Sequence, residues 1–178
     1  EPAFEARYPG IDLQWVSVGS GAALAAGRDG NADIVIAHAP ENEKQLLAEG
    51  HFTMRLPFAY NYFTVVGRQN AKKVDPAGVK TAKTAAAAFR RIAAWGSKLR
   101  AGKVAFVSRG DNSGTNQKEM ELWRKAGVNI DPANPPSWYI SAGAGMLATL
   151  QVAAERQAYT MTDVATWIKN RKNANLSP

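Results

Sequence analysis

Three glycine-rich turns, each followed by a segment with helix-forming composition, constrain the fold of this 178-residue chain most strongly. We name them the first turn (residues 19–21, GSG), the second turn (residues 110–115, GDNSGT) and the third turn (residues 143–145, GAG). Apolar runs of strand length precede the first and second turns. A repeated order of strand, turn and helix is typical of a parallel or mixed sheet covered by helices on both faces. We therefore predict an α/β fold.

Apolar periodicity places the individual elements along the chain. It predicts strands at residues 11–18, 33–37, 51–58, 62–67, 104–107 and 159–161. It predicts helices at residues 22–27, 40–49, 84–100, 116–126, 146–157 and 163–167. The helix at 84–100 is the clearest, because Phe89, Ile92 and Gly96 fall on one stripe at helical spacing.

The three turns have the chemistry of an anion site. The first turn of a helix leaves N–H groups unpaired and carries the positive end of the helix dipole. Glycine lets a ligand approach the backbone, and Ser or Thr adds a donor without charge. The alternative is plain N-capping, for which Ser and Thr are preferred anyway. Three such turns in one chain, with Arg109 preceding the second, favour a binding site over capping alone.

Several classes of catalytic or metal site lack the residues that they need. The chain has no cysteine, and its two histidines, His38 and His51, are not in a metal-ligand spacing. Neither GSGAALAAG nor GDNSGTNQK matches a dinucleotide or nucleotide phosphate loop. No histidine lies near a GxSxG nucleophile turn. We therefore predict a protein that is not an enzyme, with no catalytic residue, no cofactor and no direct ligand to a metal cation.

Positive charge is concentrated between residues 68 and 103. This stretch contains ten basic residues and one acid, within a chain of net charge +7. It is either a surface that attracts anions or nucleic acid, or a solvated helix face. The bases alternate with alanine rather than with the aromatic side chains that bind single-stranded nucleic acid, and we predict no nucleic-acid partner. We expect these side chains to be exposed and outside the binding cleft: Lys72, Lys73, Lys80, Lys83, Arg90 and Arg91.

Five segments of the chain resemble one known family. They are VGSGAALAAGRDGNADIVIAHAPENEKQLLAEG, YNYFTVVG, FVSRGDNSGTNQKEMELW, WYISAGAGMLATL and YTMTDVATW. Between about residue 4 and residue 167 they are similar to the tungstate-binding proteins of ABC importers, most specifically in SRGDxSGT and the following ExxLW. The chain departs from the family at Asn116, where the family has His, and at Val164, where it has Arg. The family's Thr/Ser-rich first strand has no counterpart in this sequence.

The resemblance implies a type II periplasmic-binding fold, with two α/β lobes of mixed sheets, helices on both faces and a hinge crossed twice. Lobe one is expected at residues 1–66 and 163–178, incomplete at both chain ends relative to the family, and lobe two at residues 67–162. The resemblance also implies a periplasmic or otherwise secreted monomer without membrane insertion. Its partners would be an ABC permease and a tetrahedral oxyanion, tungstate or molybdate, which share charge and shape.

The resemblance assigns the oxyanion to residues of the three turns. Arg109 would supply positive charge and a planar fork of donors. Ser20 and Thr115 would supply hydroxyls, and backbone N–H groups would complete the site. Pairing of Arg109 with Asp111 is the alternative for that arginine. The implied ligand-binding residues are Ser20, Gly21, Arg109, Ser113, Gly114, Thr115 and Gly145. For the whole protein the alternatives are a binding protein for phosphate or sulfate, a basic nucleic-acid-binding module, and an enzyme on the same fold.

Overall fold

A computed structural model describes residues 1–68, 75–172 and 176–178 of the chain. The helices are α1 Pro2–Arg7, α2 Ser20–Arg28, α3 Pro40–Ala48, α4 Ala85–Gly96, α5 Gly114–Lys125, α6 Met146–Arg156 and α7 Val164–Asn170. The strands are β1 Phe63–Arg68, β2 Phe106–Ser108, β3 Tyr139–Ser141, β4 Tyr159–Asp163 and β5 Leu176–Ser177, and a 3-10 turn spans Val79–Thr81.

The strands form one five-stranded mixed sheet in the order β3-β2-β4-β1-β5. β2 pairs in parallel with β3 and with β4, whereas β1 pairs antiparallel with β4 and β5. Parallel strands need a long crossover connection, which α5 provides between the neighbours β2 and β3. α6 connects β3 to β4, which lies on the other side of β2 in the sheet. The predicted α/β fold with a mixed sheet is therefore confirmed.

Helices cover both faces of this sheet. Successive strand residues point to opposite faces, and Phe106 and Val107 of β2 accordingly belong to two different apolar clusters. On one face, Phe89 of α4 and Trp123 of α5 pack with their ring centroids 4.5 Å apart. On the other face, Leu150 of α6 is fully buried in the second cluster. The two clusters make β2 the centre of the core.

A capping hydrogen bond marks the start of α4, and a close contact requires glycine at its last residue. The Thr84 hydroxyl accepts a hydrogen bond from the Ala87 N–H (3.1 Å), which satisfies one of the unpaired donors at the helix start. The helix ends at Gly96, four residues before the predicted end. Gly96 itself is required by packing, because a Cβ atom there would lie 2.7 Å from the ring of Trp138.

The predicted strands at residues 11–18, 33–37 and 51–58 are wrong, because the structure assigns no strand to these described segments. Their apolar side chains are largely exposed: Val16 to 77%, Ile34 to 82% and Phe58 to 77%. A strand forms only where a neighbour completes its hydrogen-bond ladder. None of the five described strands pairs with these segments.

The exposed position of the basic side chains is confirmed for Lys80, Lys83, Arg90 and Arg91. Lys72 and Lys73 lie outside the described residues. Two of the four also support the backbone, since Arg90 Nε donates to the Ala126 carbonyl (3.1 Å) and Arg91 Nη1 donates to the Gly78 carbonyl. Within the described ranges, the helices are all too short or too polar to cross a membrane.

Candidate functional site

The first and second turns lie in direct contact, although about 90 residues separate them. A Cβ atom at Gly21 would lie 2.7 Å from Asn112 Nδ2 and 2.9 Å from the Asn112 carbonyl oxygen. A Cβ atom at Gly114 would lie 2.6 Å from the ring of His38. Both distances are shorter than real Cβ contacts allow. The glycines of the two turns therefore permit an approach that any larger residue would prevent.

The third turn is connected to the residues that precede the second turn. The Ala142 N–H donates to the Ser108 carbonyl (2.8 Å), and the Ala144 N–H donates to the Arg109 carbonyl (3.3 Å). This proximity follows from the parallel pairing of β2 and β3, whose carboxyl ends meet at one edge of the sheet. The second turn thus contacts the first turn and follows directly on residues that bond the segment of the third turn.

Two of the helices that begin at these turns, α2 and α6, keep their positive ends unneutralised. α2, α5 and α6 have no acidic residue in the first turn, whereas α3 has Glu41 and Glu43 there. Gly19 and Gly145 precede α2 and α6 and provide no side-chain cap. In α2 and α6 the N–H groups of the first helical turn keep their donor capacity, and the dipole favours negative charge. In α5 the Ser113 hydroxyl accepts one of these N–H groups, and Asp111 Oδ1 accepts from the Ser113 N–H (3.2 Å). The geometry suits an anion.

Three hydroxyl residues of the site are buried: Ser20, Ser113 and Thr115 are exposed to only 6%, 3% and 2%. Ser20 Oγ accepts from the backbone N–H of His38 (3.4 Å). Ser113 Oγ caps α5 by accepting from the Asn116 N–H (3.3 Å), so the capping role applies to this residue.

Arg109, which directly precedes the second turn, forms an ion pair with Asp111 of that turn. Its Nη2 donates to Asp111 Oδ2 (2.5 Å), and its side chain is 18% exposed. Burial raises the pKa of Asp111, but the hydrogen bonds from Ser113 and the pairing with Arg109 outweigh it and lower that pKa below its usual value. Arg109 Nε is buried and has no partner among the described residues. The ion pair with Asp111, which the sequence offered as the alternative role of Arg109, is therefore present at Nη2. Contact of Arg109 with an anion stays a prediction.

Two residues at the contact were not anticipated from the sequence, His38 and Asn112. His38 bonds Ser20 through its N–H, lies against Gly114 and stacks its ring on Phe63, with centroids 6.3 Å apart. The sequence contained one indication that His38 belongs to the site. It directly follows the apolar run at residues 33–37, just as the first turn directly follows the apolar run at residues 11–18. Asn112 had no such signal beyond its place in the second turn.

Asn116 has a structural role that fits an amide. Its Nδ2 donates to Ser108 Oγ (3.1 Å), and its Oδ1 accepts from the Asn112 N–H (3.1 Å). One side chain thus both donates and accepts, and it ties the second turn to the end of β2. The hydrogen bonds of Asn116 therefore support the second turn, although the family has His at this position.

A cleft borders the contact, and the described residues around it form no evident cation site. A cleft of about 230 Å³ between α2 and α3 includes Gly21 and Asn112 in its lining. Its charged residues, Arg28 and Glu49, are of opposite sign, so the cleft itself does not select anions. Among the described residues, no three His, Cys, Asp or Glu side chains cluster in a way that could hold a metal ion.

Comparisons with known proteins agree with this architecture. A model of the PBP superfamily domain matches residues 1–177. The chain is 34% identical to the tungstate-binding protein TupA of Campylobacter jejuni, and the match covers 100% of this chain and 60% of that protein.

Two solved structures are similar along nearly the whole chain. The tungstate ABC transporter structure from Geobacter sulfurreducens has a TM-score of 0.72 and 39% identity, covering 95% of this chain and 66% of that one. The tungstate-binding protein TupA from Desulfovibrio alaskensis G20 has a TM-score of 0.70 and 41% identity, covering 99% and 66%. The chain thus spans 60% of the Campylobacter protein and 66% of each solved chain. From the matched domain and the shared fold, the chain belongs to the PBP superfamily.

Proposed function

We propose that this protein captures a tetrahedral oxyanion, tungstate or molybdate, and delivers it to the permease of an ABC importer. The observation that carries this proposal is the meeting of the first and second turns, with the third turn nearby, at the starts of three helices that have no acidic residue in their first turn. Relatives named as tungstate-binding proteins support the choice of anion.

The site would bind a dianion with donors only. A buried anion is costly unless nearly every oxygen lone pair is matched by a donor. Backbone N–H groups around Gly21, Gly114 and Gly145 would provide neutral donors, and the hydroxyls of Ser20 and Thr115 would add two more. Arg109 would add charge and a fork that can bond two oxygens at once. For this, the guanidinium must share its donors between Asp111 and the anion.

We infer two lobes, residues 1–66 with 163–178 and residues 67–162, joined by two crossings near residues 66–67 and 161–163. The antiparallel pairing of β1 with β4, from Phe63 opposite Asp163 to Val66 opposite Thr160, supports the position of the two crossings and also joins strands from both sides of this division in one sheet. It would put both crossings side by side, as a hinge requires. The contact between the first and second turns would then bridge the lobes. The proposal also includes a secreted or periplasmic monomer with no enzymatic activity.

Calorimetric titration of tungstate into the wild type and three variants tests the proposal. Arg109→Lys keeps the charge but loses the planar fork, so we expect weaker binding. Arg109→Ala should lose roughly 1.5–3 kcal/mol, the usual contribution of a hydrogen bond to a charged group. Arg156→Ala is the matched control, because Arg156 is exposed and lies in the last turn of α6, at the end of that helix opposite the third turn. Near-native affinity in Arg109→Ala, with an unchanged circular dichroism spectrum, would remove Arg109 from the site.

A thermal-shift panel separates the proposed ligand from its alternatives. A ligand at 100 times its dissociation constant stabilises the folded state by about 2.7 kcal/mol, which gives a measurable shift. We expect shifts with tungstate and molybdate. A larger shift with sulfate or phosphate would make this a binding protein for that anion. A shift with a short oligonucleotide alone would favour the nucleic-acid reading.

A further inference from the structure

A buried polar network lies beneath the second turn and includes none of the residues proposed to contact the anion through their side chains. Its centre is Glu119 of α5, whose side chain is only 2% exposed. Oε2 of Glu119 accepts from the Ser108 hydroxyl (2.6 Å), and Oε1 accepts from Trp123 Nε1 (2.9 Å) and from the Tyr139 hydroxyl (2.8 Å). A buried carboxylate is destabilising unless donors surround it in this way.

The direction of the hydrogen bond between Ser108 and Glu119 is determined by the other partners of Ser108. Ser108 Oγ accepts from the Gly110 N–H (3.1 Å) and from Asn116 Nδ2 (3.1 Å), which uses both lone pairs of the hydroxyl. Its single proton therefore points to Glu119. Burial raises the pKa of Glu119, against the hydrogen bonds that lower it. A proton on Glu119 Oε2 would find no acceptor on Ser108, however, because both lone pairs of that hydroxyl are already used.

Through Ser108, this network reaches the backbone of the second turn at two points. One is the N–H of Gly110, and the other is the N–H of Asn112, which donates to the Oδ1 of Asn116. Gly110 and Asn112 both have positive φ, +61° and +54°, a region that for Asn112 is favourable only with support from its surroundings. Asn112 is also the residue that contacts Gly21 of the first turn.

We propose that Glu119 is a positioning residue for the oxyanion site. It orients the Ser108 hydroxyl, and Ser108 with Asn116 then holds the second turn in the conformation that faces the first. Glu119 does not touch the anion. This inference rests on the proposed function for the identity of the ligand, whereas the orientation of the turn can be measured without any ligand.

Two substitutions interrupt the network at successive steps. Glu119→Gln keeps the shape but places an amide N–H toward Ser108, so that Ser108 must accept it and either Gly110 or Asn116 loses its acceptor. Ser108→Ala removes the link directly. Each should weaken tungstate binding about tenfold, in line with the loss of one hydrogen bond of the site. Both substitutions interrupt the same series of hydrogen bonds. The double variant should therefore bind tungstate no more weakly than whichever single variant binds it less tightly.

Ile92→Val is the matched control for a general loss of stability. Ile92 is fully buried in the same apolar cluster as Trp123 and forms no part of the network. It should lower the melting temperature and leave the affinity for tungstate unchanged. If Ile92→Val weakens binding as much as Glu119→Gln at an equal loss of melting temperature, the proposal is overturned.

Hydrogen exchange in the absence of ligand provides the second measurement. The amides of Gly110 and Asn112 should exchange faster in Glu119→Gln and in Ser108→Ala than in the wild type, and at the wild-type rate in Ile92→Val. Unchanged exchange in both network variants would overturn the positioning role. If the wild type binds no tungstate, the proposed function fails while the exchange rates still decide the role of Glu119. If Glu119→Gln does not fold, Ser108→Ala alone decides it.

Discussion

Residues 1–62 and the described residues from 63 onward differ in how they use apolar side chains. The second region contains the five-stranded sheet and every described residue of the two apolar clusters. The first region contains α1, α2 and α3 and buries only Leu24 and Ala39 among its apolar residues. Among the described residues, thirteen of the fifteen exposed large apolar side chains lie in the first region. Similar apolar patterns thus gave a core in one region and exposed segments in the other.

The difference separates two kinds of structural determinant. A glycine turn and a helix start depend on residues close in sequence, and both regions formed them where the sequence indicates. A strand depends on a neighbour that satisfies its N–H and C=O groups. The apolar runs of the first region have no such neighbour among the described strands. The candidate site lies where the two regions touch, so it depends on local turns from both.

The largest expected effect on stability comes from comparing one leucine of the first region with one of the second. Leu150 is fully buried in the second apolar cluster, and Leu56 is 68% exposed. Leu150→Ala should lower the free energy of unfolding by about 2–5 kcal/mol, because it removes buried methyl groups and leaves a cavity. Leu56→Ala should change it by less than about 0.5 kcal/mol. Urea denaturation measures both. Comparable losses would mean that Leu56 is buried in solution and would remove the contrast between the regions.

The second effect tests the contact between the regions. Gly114 is the first residue of α5, where alanine fits the backbone, but its Cβ would lie 2.6 Å from His38. Gly114→Ala should therefore cost about 1–3 kcal/mol of tungstate binding, as overpacking does, by separating the second turn from the first.

The control for this prediction is Gly10→Ala, because a Cβ at Gly10 has nothing within 4 Å. Titration calorimetry gives the affinities of both variants, and circular dichroism checks that the helices remain. If Gly114→Ala binds tungstate as the wild type does, the first turn does not have to approach the second for binding.

The sequence predicted what local chemistry determines. Six helices appear close to their expected positions, and the three turns were identified because glycine and hydroxyl residues cluster visibly. β3 was missed because its three residues lie between a proline-rich loop and the third turn, too short for a period to appear. α1 was missed because it buries no residue and so has no apolar stripe.

The arrangement of the site was less predictable, because it depends on tertiary contacts. No sequence pattern indicates that His38 and Gly114 would meet. The bonds of Glu119 to Ser108 and Tyr139 join residues 11 and 20 positions apart, and only the bond to Trp123, four positions on, has helical spacing. The pairing of Arg109 with Asp111 is local, and it was recognised as an alternative.

A smaller effect compares one Arg–Asp pair from each region. Arg109 and Asp111 are 18% and 22% exposed, whereas Arg28 and Asp29 are 48% and 49% exposed. Water screens the exposed pair more strongly. Asp111→Asn should therefore lower the free energy of unfolding by about 1 kcal/mol at neutral pH, and Asp29→Asn should have no measurable effect.

The pH dependence follows from the lowered pKa of Asp111. A carboxylate with a folded-state pKa below its unfolded value of about 3.9 stabilises the fold fully above that value, and the contribution is lost as the pH falls through the folded pKa. The difference between wild type and Asp111→Asn should be constant from about pH 5 to pH 7 and shrink below about pH 4. A difference that grows as the pH falls would contradict the assigned ionisation.

The smallest effect concerns the positive charge between residues 68 and 103. Lys83 and Lys98 are exposed and form no hydrogen bond or ion pair with other described residues, unlike Arg90 and Arg91. Reversing both charges, Lys83→Glu with Lys98→Glu, should slow the association of tungstate a few-fold at low salt. Because ions screen exposed charges beyond about 8 Å at physiological salt, the affinity there should change by less than about twofold.

The control places the same change of charge in the first region, in Arg7→Glu with Lys44→Glu, both exposed. Stopped-flow association at two salt concentrations compares the two double variants. A slower rate only for Lys83 and Lys98 would mean that the local field of the basic stretch guides the anion. Equal slowing would assign the effect to net charge, and the distribution of charge between the regions would then not matter for capture. A large loss of affinity at physiological salt, with the fold intact, would instead place the basic stretch inside the binding site and contradict its predicted position outside the cleft.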